Sequence, residues 1–364
     1  MRKLPFLFCS LLLLTGCWDQ RQLKDSRLVN GISFDTTEDP DKILGTARAI
    51  NIRSSGGGKF EVMDEFYEAE EETVSELEIN LQNKVSGQMD VEKAFIIIVG
   101  EDLAKSRGIA PLLEPIFRSV KGYIASSIVI SEGKGNDILT LNRQDSPIVF
   151  EVNDLLIGGV EEAYIPDETT FTVWNHHTAK EKDMILPFIK KDKEDKLKLA
   201  GSALFNDDKF TGHTLTTSQT SLLIMMMNQL KKRGKLIIQS NEFSQPLTLA
   251  IHKATTKMDV KKAKGQVTCT INTDLKARVL SYYEETTPKD IKSLNKIASK
   301  ELTKKARELT DLLLEANSDA LGVGKKLSVT YHDSWKPDTW KEDYQEVKFI
   351  PKVNVEIVGT NNLK

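Results

Sequence analysis

The sequence predicts an α+β or α/β protein: three consecutive mixed sheet-and-helix domains behind a lipoprotein signal peptide. Three observations carry that expectation. The chain has 364 residues, 40% hydrophobic and 28% charged, enough for two or three units that each bury a core. Along it, apolar residues switch repeatedly between the every-second spacing of strands and the three-to-four spacing of helices. The first sixteen residues follow a charge-then-apolar pattern of their own. With 50 Lys+Arg against 53 Asp+Glu there is no basic excess to draw nucleic acid. The composition fits neither disorder nor a bundle of membrane spans.

The opening segment, 1–16, has Arg2-Lys3, a mostly apolar run from Leu4 to Leu14, then Thr15-Gly16-Cys17. This is the n-region, h-region and small-residue cleavage site of a signal peptide. A run that short does not cross a hydrocarbon core needing roughly 20 helical residues. Leu14-Thr15-Gly16-Cys17 has the form of a lipobox, in which the thiol, the only strong nucleophile there, takes a diacylglyceryl thioether. The competing reading is a plain secreted protein whose cleavage site precedes a cysteine. On the lipobox reading, a lipid on Cys17 anchors the mature chain to the membrane on its extracytoplasmic face, away from ATP. Of the other cysteines, Cys9 falls in the signal and Cys269 stands far downstream, so no disulfide framework is available.

The N-terminal α/β domain is placed at 17–195. A polar, helix-prone lead over 18–30 runs into a strand at 31–35, and Ser54-Ser55-Gly56-Gly57-Gly58-Lys59 marks a loop. Val74, Leu77, Leu81 and Val85 then fall at helical spacing, and 94–99 is a continuous apolar run suited to a buried strand. A helical stretch at 103–120 is interrupted by Pro111 and Pro115, a strand follows at 123–130, and a helix at 152–163. The charged run 190–196 has no apolar periodicity and sets the first boundary.

A small middle α/β domain occupies 196–240: a hairpin of 197–205 and 209–215 joined at Asn206-Asp207-Asp208, then a helix holding Leu222, Leu223, Met226 and Leu230. The C-terminal α/β domain, 241–364, opens with strands at 246–252, 265–273 and 278–283. Its long amphipathic helix is placed at 288–316, with Thr287 as N-cap and Pro288 at the first position. Val353, Val355 and Ile357 alternate as a closing strand.

No motif for catalysis stands out. Neither glycine cluster is a P-loop, because Arg53 and Phe60 break the first pattern and Ser318 and Lys326 the second. Met225-Met226-Met227 point about 100° apart on a helix and read as core filler rather than a copper(I) site. His176, His177, His213, His252 and His332 carry no zinc spacing, and no Gly-x-Ser-x-Gly elbow is present. Cys269 alternates with threonines as a strand packing residue, and Trp335 with Trp340 either closes the last sheet or presents a binding face.

Gly16-Cys17-Trp18-Asp19, with Leu23, Val29 and Gly31-Ile32-Ser33-Phe34-Asp35, resembles the Ger(x)C family of spore-germination lipoproteins. So do Phe95 to Val99 with Leu103-Ala104 and Gly108-Ile109, and Asp183-Met184-Ile185-Leu186-Pro187. Toward the end, Asp319-Ala320-Leu321-Gly322-Val323-Gly324, Trp335, Trp340 and the Val353 to Gly359 strand match as well. The stretch from Phe117 to Gly122 departs, being less basic than the family pattern. The resemblance implies a C subunit of a nutrient germinant receptor at the spore inner membrane, beside multipass A and B subunits, with no cofactor and no enzymatic activity. Only Cys17 carries over with a stated role, lipid attachment. A lipid-anchored extracytoplasmic solute-binding protein is the alternative, and a cell-envelope hydrolase a third.

Overall fold

The computed structural model describes residues 26–54, 60–119, 122–142, 147–263, 265–282, 290–331 and 335–360. They form two sheets with helices, a mixed α+β architecture. The first runs β3-β2-β1-β5-β6-β7-β8-β9, with β4 beside the start of β1. Its strands are β1 (Ser26–Thr36), β2 (Ile43–Ser54), β3 (Phe60–Glu71), β4 (Gln88–Asp90), β5 (Ile96–Gly100), β6 (Ser127–Ser131), β7 (Ile185–Lys191), β8 (Leu197–Asn206) and β9 (Lys209–Leu215).

The centre of this sheet is β5, whose five residues are all buried. Being covered on both faces explains a continuous apolar run in place of alternation. Ile97 and Val99 pack under α1 (Val74–Asn83), α2 (Glu101–Ser106) and α3 (Ala110–Arg118). Ile96 and Ile98 face α4 (Asn136–Leu139) and α5 (Ile148–Glu161). Pro111 sits in the first turn of α3, where no amide donor is needed, so the expected helix divides into two. α6 (Thr170–Ala179) precedes β7, and its Thr169 and Thr172 form a capping box.

The second sheet is β10 (Gly234–Ile238), β11 (Leu247–Ala263), β12 (Gln266–Ser281) and β13 (Lys348–Thr360). Helix α7 (Thr217–Met226) and the long α8 (Ile291–Glu315) cover one face. Leu294, Ala298, Leu302, Ala306, Leu309 and Leu313 form the buried stripe of α8. Ile185, Leu204 and Leu215 of the first sheet join this second core, so the two sheets share apolar packing. Strand β13 pairs with β12 on one side. On its other side the amides of Val353, Val355 and Ile357 donate to Thr303 Oγ1, Ser299 Oγ and Asn295 Oδ1 at 2.9–3.0 Å. A polar ridge of α8 thus caps an edge that would otherwise invite another strand.

Several sequence expectations change. The lead residues 26–30 are strand, not helix. The charged run 190–196 spans the end of β7 and the tight turn 192–196 that joins it to β8, with the Asp192 carboxylate accepting from the Glu194 and Lys196 amides. Solvated turns and linkers share a composition. The strands of 196–240 divide between the two sheets, β8 and β9 in the first and β10 in the second, and the described residues form no third sheet. The separate strands expected after 246 are one long hairpin. The long helix begins at Ile291, with Asp290 as N-cap accepting from the Ser293 amide; Thr287 and Pro288 lie outside the described residues, as do 55–59 of the glycine loop.

Gly201 is obligatory. Gly201 in β8 has φ +121°, and a Cβ there would lie 1.9 Å from the Leu215 carbonyl oxygen. Gly201→Ala is expected to lower stability by about 2–4 kcal/mol. Gly133→Ala, at φ +71° with nothing within 4 Å, should cost only about 1 kcal/mol. Urea unfolding midpoints of the two variants check the contrast.

Candidate functional site: the joint between the two sheets

Two aspartates, Asp183 half-buried and Asp319 fully buried, hold the sheets together. Asp183 leads into β7 of the first sheet, and Asp319 lies between α8 and α9 (Val323–Thr330) in the second half. The Asp183 amide donates to the Asp319 carbonyl at 3.2 Å, and the Asp319 amide returns to Asp183 Oδ2 at 2.7 Å. Asp183 Oδ1 accepts from the Asp207 amide in the β8–β9 turn at 2.7 Å. Asp319 Oδ1 accepts from the Val323 amide at 2.8 Å, and Oδ2 from the Gly324 amide at 2.7 Å and Trp340 Nε1 at 3.0 Å.

The local sequence explains this nest. Gly322, at φ +75°, starts α9 in the left-handed conformation that turns its first amides back toward Asp319. A Cβ on Gly324 would meet Trp340 Nε1 at 2.6 Å and Trp335 Cη2 at 2.8 Å. The Gly-x-Gly stretch therefore holds an internal carboxylate on its helix N-terminus. Trp340 extends from α10 (Pro337–Tyr344) and is buried, with Trp335 at 5.2 Å and Tyr344 at 5.7 Å between ring centroids. Tyr344 donates to the Ser318 carbonyl at 2.8 Å, and Asn206 to that of Asn317 at 2.7 Å. The tryptophan pair closes the structure from within.

Burial dominates the electrostatics. It pushes the Asp319 carboxyl up to about 7, against the three donors that favour its anion, and raises Asp183 for the same reason. Burial lowers the Lys182 ammonium below the ordinary lysine range, opposed by Glu168 and Asp319. Asp207 is held by His177 Nδ1 at 2.9 Å and Lys341 at 3.4 Å. Above these groups lies a cavity of about 230 Å3 with walls from both halves, including His176, Lys182, Asn317 and Lys341.

A second anchor uses the same device. Asp35, at the end of β1, accepts from the amides of Gly135 and Asn136 at 2.6 and 2.8 Å, and burial pushes its carboxyl up to about 6. Gly100 is required beside it, because a Cβ would lie 2.3 Å from Asp35 Oδ1. Met225 and Met226 are buried in the second core, and so is Cys269, whose thiol burial raises to about 12. That environment disfavours a reactive thiolate. Cys17, the one residue assigned a role from sequence, lies outside the described residues. Sequence reasoning singled out the segments carrying Asp183 and Asp319 without assigning either residue a task or bringing them together.

Comparison with known proteins gives the same picture over the whole described length. The family model "Spore germination protein N-terminal domain" matches residues 19–191, and "Spore germination B3/ GerAC like, C-terminal" matches 200–361. The chain is 26% identical over 364 residues to spore germination protein GerQC of Bacillus cereus, covering 98% of each. It is 22% identical over 377 residues to the putative spore germination protein YfkR of Bacillus subtilis, covering 98% of this chain and 96% of that one. The crystal structure of the GerBC protein superposes with a TM-score of 0.58 at 16% identity, covering 93% of this chain and all of the other.

Proposed function

We propose that this chain, which belongs to the Ger(x)C family of spore germination proteins, is the lipid-anchored C subunit of a nutrient germinant receptor at the spore inner membrane. In this role it acts in assembly or signalling beside the multipass A and B subunits. The observation that carries the reading is the end-to-end family match, whose quoted motifs form the Asp183–Asp319 joint and the Asp35 anchor. Those residues serve to fix two halves rigidly, and they favour transmission of force or contact over turnover. Among the described residues no helix is long and apolar enough to cross a membrane. The proposed attachment, read from the Leu14-Thr15-Gly16-Cys17 pattern, is a diacylglyceryl group on Cys17, about nine residues before β1 and so within about 30 Å of it.

Nutrient-triggered loss of spore refractility tests the role. A deletion strain lacking related receptors is expected to grow normally as vegetative cells, to lose the response to at least one nutrient, and to recover it with the wild-type gene. Retention of every nutrient response in that background would remove the receptor reading.

A further inference from the structure

The second sheet has one face without a cover. Helices α7 and α8 pack on the other, and alternation along β11, β12 and β13 sends every second side chain outward. β11 places Lys253, Lys257 and Lys261 there, exposed at every fourth position. β12 adds Lys276 and Arg278, and β13 adds Lys348 and Lys352, all exposed. The acids on this face are Asp259, Asp274 and Glu356, and each is engaged: with Lys261 at 3.5 Å, with the Asn354 side-chain amide at 2.8 Å and with Lys276 at 3.1 Å. The side chains of Lys253, Lys257, Arg278, Lys348 and Lys352 have no hydrogen-bond or ion-pair partner among the described residues. Seven cations against three acids leave a net charge of +4 on one face of a chain whose total is −3. Lys253 lies directly opposite Lys276, and Lys257 and Lys352 flank Asn272 in one row. Like charges set across from each other cost the fold stability, and an external anion relieves that cost.

We infer that this face lies against an anionic bilayer surface. The cations are spread over three strands, and Lys253 to Lys261 alone spans roughly 26 Å at about 3.3 Å per residue. No small anion reaches them together, whereas an array of lipid phosphates does. Leu280 and Ile350, each 45% exposed, stand among them and suit the apolar boundary below the headgroups. The inference rests on the lipid anchor proposed above, which brings such a surface to the chain. Each lysine or arginine near that surface strengthens the association roughly fivefold, far less than two acyl chains do. The lipid therefore holds the chain and the face sets its orientation, with α8 turned away from the bilayer.

Lipid-anchored full-length protein in vesicles tests this, with a fluorophore on Asn272→Cys at the centre of the face and a quencher on the lipid headgroups. Cys269 is buried and does not compete for the label. With about 30 mol% phosphatidylglycerol at low salt, quenching is expected to exceed that in pure phosphatidylcholine by at least about threefold. It should fall as salt screens the charges. Lys257→Glu with Lys352→Glu, which cancels the net charge of the face, should erase the difference, and arginine at both positions should keep it. Lys300→Glu with Lys304→Glu makes the same change in total charge on α8 and should leave quenching unaltered. Equal quenching in the two kinds of vesicle, or equal loss in the face and α8 variants, overturns the inference. Flotation reads the anchor separately. Protein that floats with neutral vesicles but shows no charge-dependent quenching keeps its lipid and loses the face. Protein that floats only with anionic vesicles, and is quenched there, keeps the face and loses the lipid.

Discussion

Asp319→Asn is expected to destabilise the protein by about 2–3 kcal/mol, the range for leaving buried N–H donors without an acceptor. Three donors converge on that carboxylate, from Val323, Gly324 and Trp340. An amide NH2 in place of either oxygen turns an acceptor into a donor facing donors. The cost should also depend on pH. The native carboxyl keeps its proton up to about pH 7, whereas the reference value is 3.8. Between those values the native state binds more protons than the unfolded chain, so a rise in pH lowers the contribution of this group to wild-type stability. The asparagine variant lacks that loss, and the gap between the two proteins should be wider at pH 5 than at pH 8. Urea unfolding at both pH values, followed by tryptophan fluorescence, reads both quantities. A gap under about 1 kcal/mol at both, the scale of an ordinary surface substitution, would contradict the assignment of Asp319 as the anchor of the joint.

What was readable in the sequence followed from local regularity. β5 announces itself as an unbroken apolar run, and α8 through a stripe that keeps its period from Leu294 to Leu313. The β11–β12 hairpin was read in pieces because only one of its faces is covered. Lys253, Lys257 and Lys261 lie on β11, and charged side chains in a strand mask its continuity. The charged run at 190–196 lies at the seam between the two family matches, yet β7 and β8 pair across it, because seven consecutive charged residues suit a domain seam and a hairpin turn alike. The joint was invisible in principle. Asp183 and Asp319 are 136 positions apart, and no local pattern states that a carboxylate in one segment will accept an amide from another. The Gly-x-Gly stretch departs from the phosphate-loop pattern on spacing. That its helix N-terminus is filled by Asp319 appears only in three dimensions.

The second large effect is expected at Cys17. Cys17→Ala should move the protein from the membrane fraction to the soluble fraction while leaving its melting temperature unchanged. A diacylglyceryl thioether carries two acyl chains, and each methylene buried in the bilayer contributes roughly 0.8 kcal/mol. One chain gives a partition constant of only about 10⁴ M⁻¹; two make release negligible, so their loss should lower membrane partitioning by well over about 10⁴-fold. The fold should not respond, because the first strand begins at Ser26, downstream of Cys17. Membrane flotation, intact-protein mass and thermal unfolding of both proteins test the two halves of the prediction separately. A variant that still floats and still carries acyl mass contradicts the lipobox. One that floats without acyl mass shifts the attachment to partner subunits, which the receptor reading also supplies. Dispersal with a lowered melting temperature would mean that the anchor segment packs on the folded body.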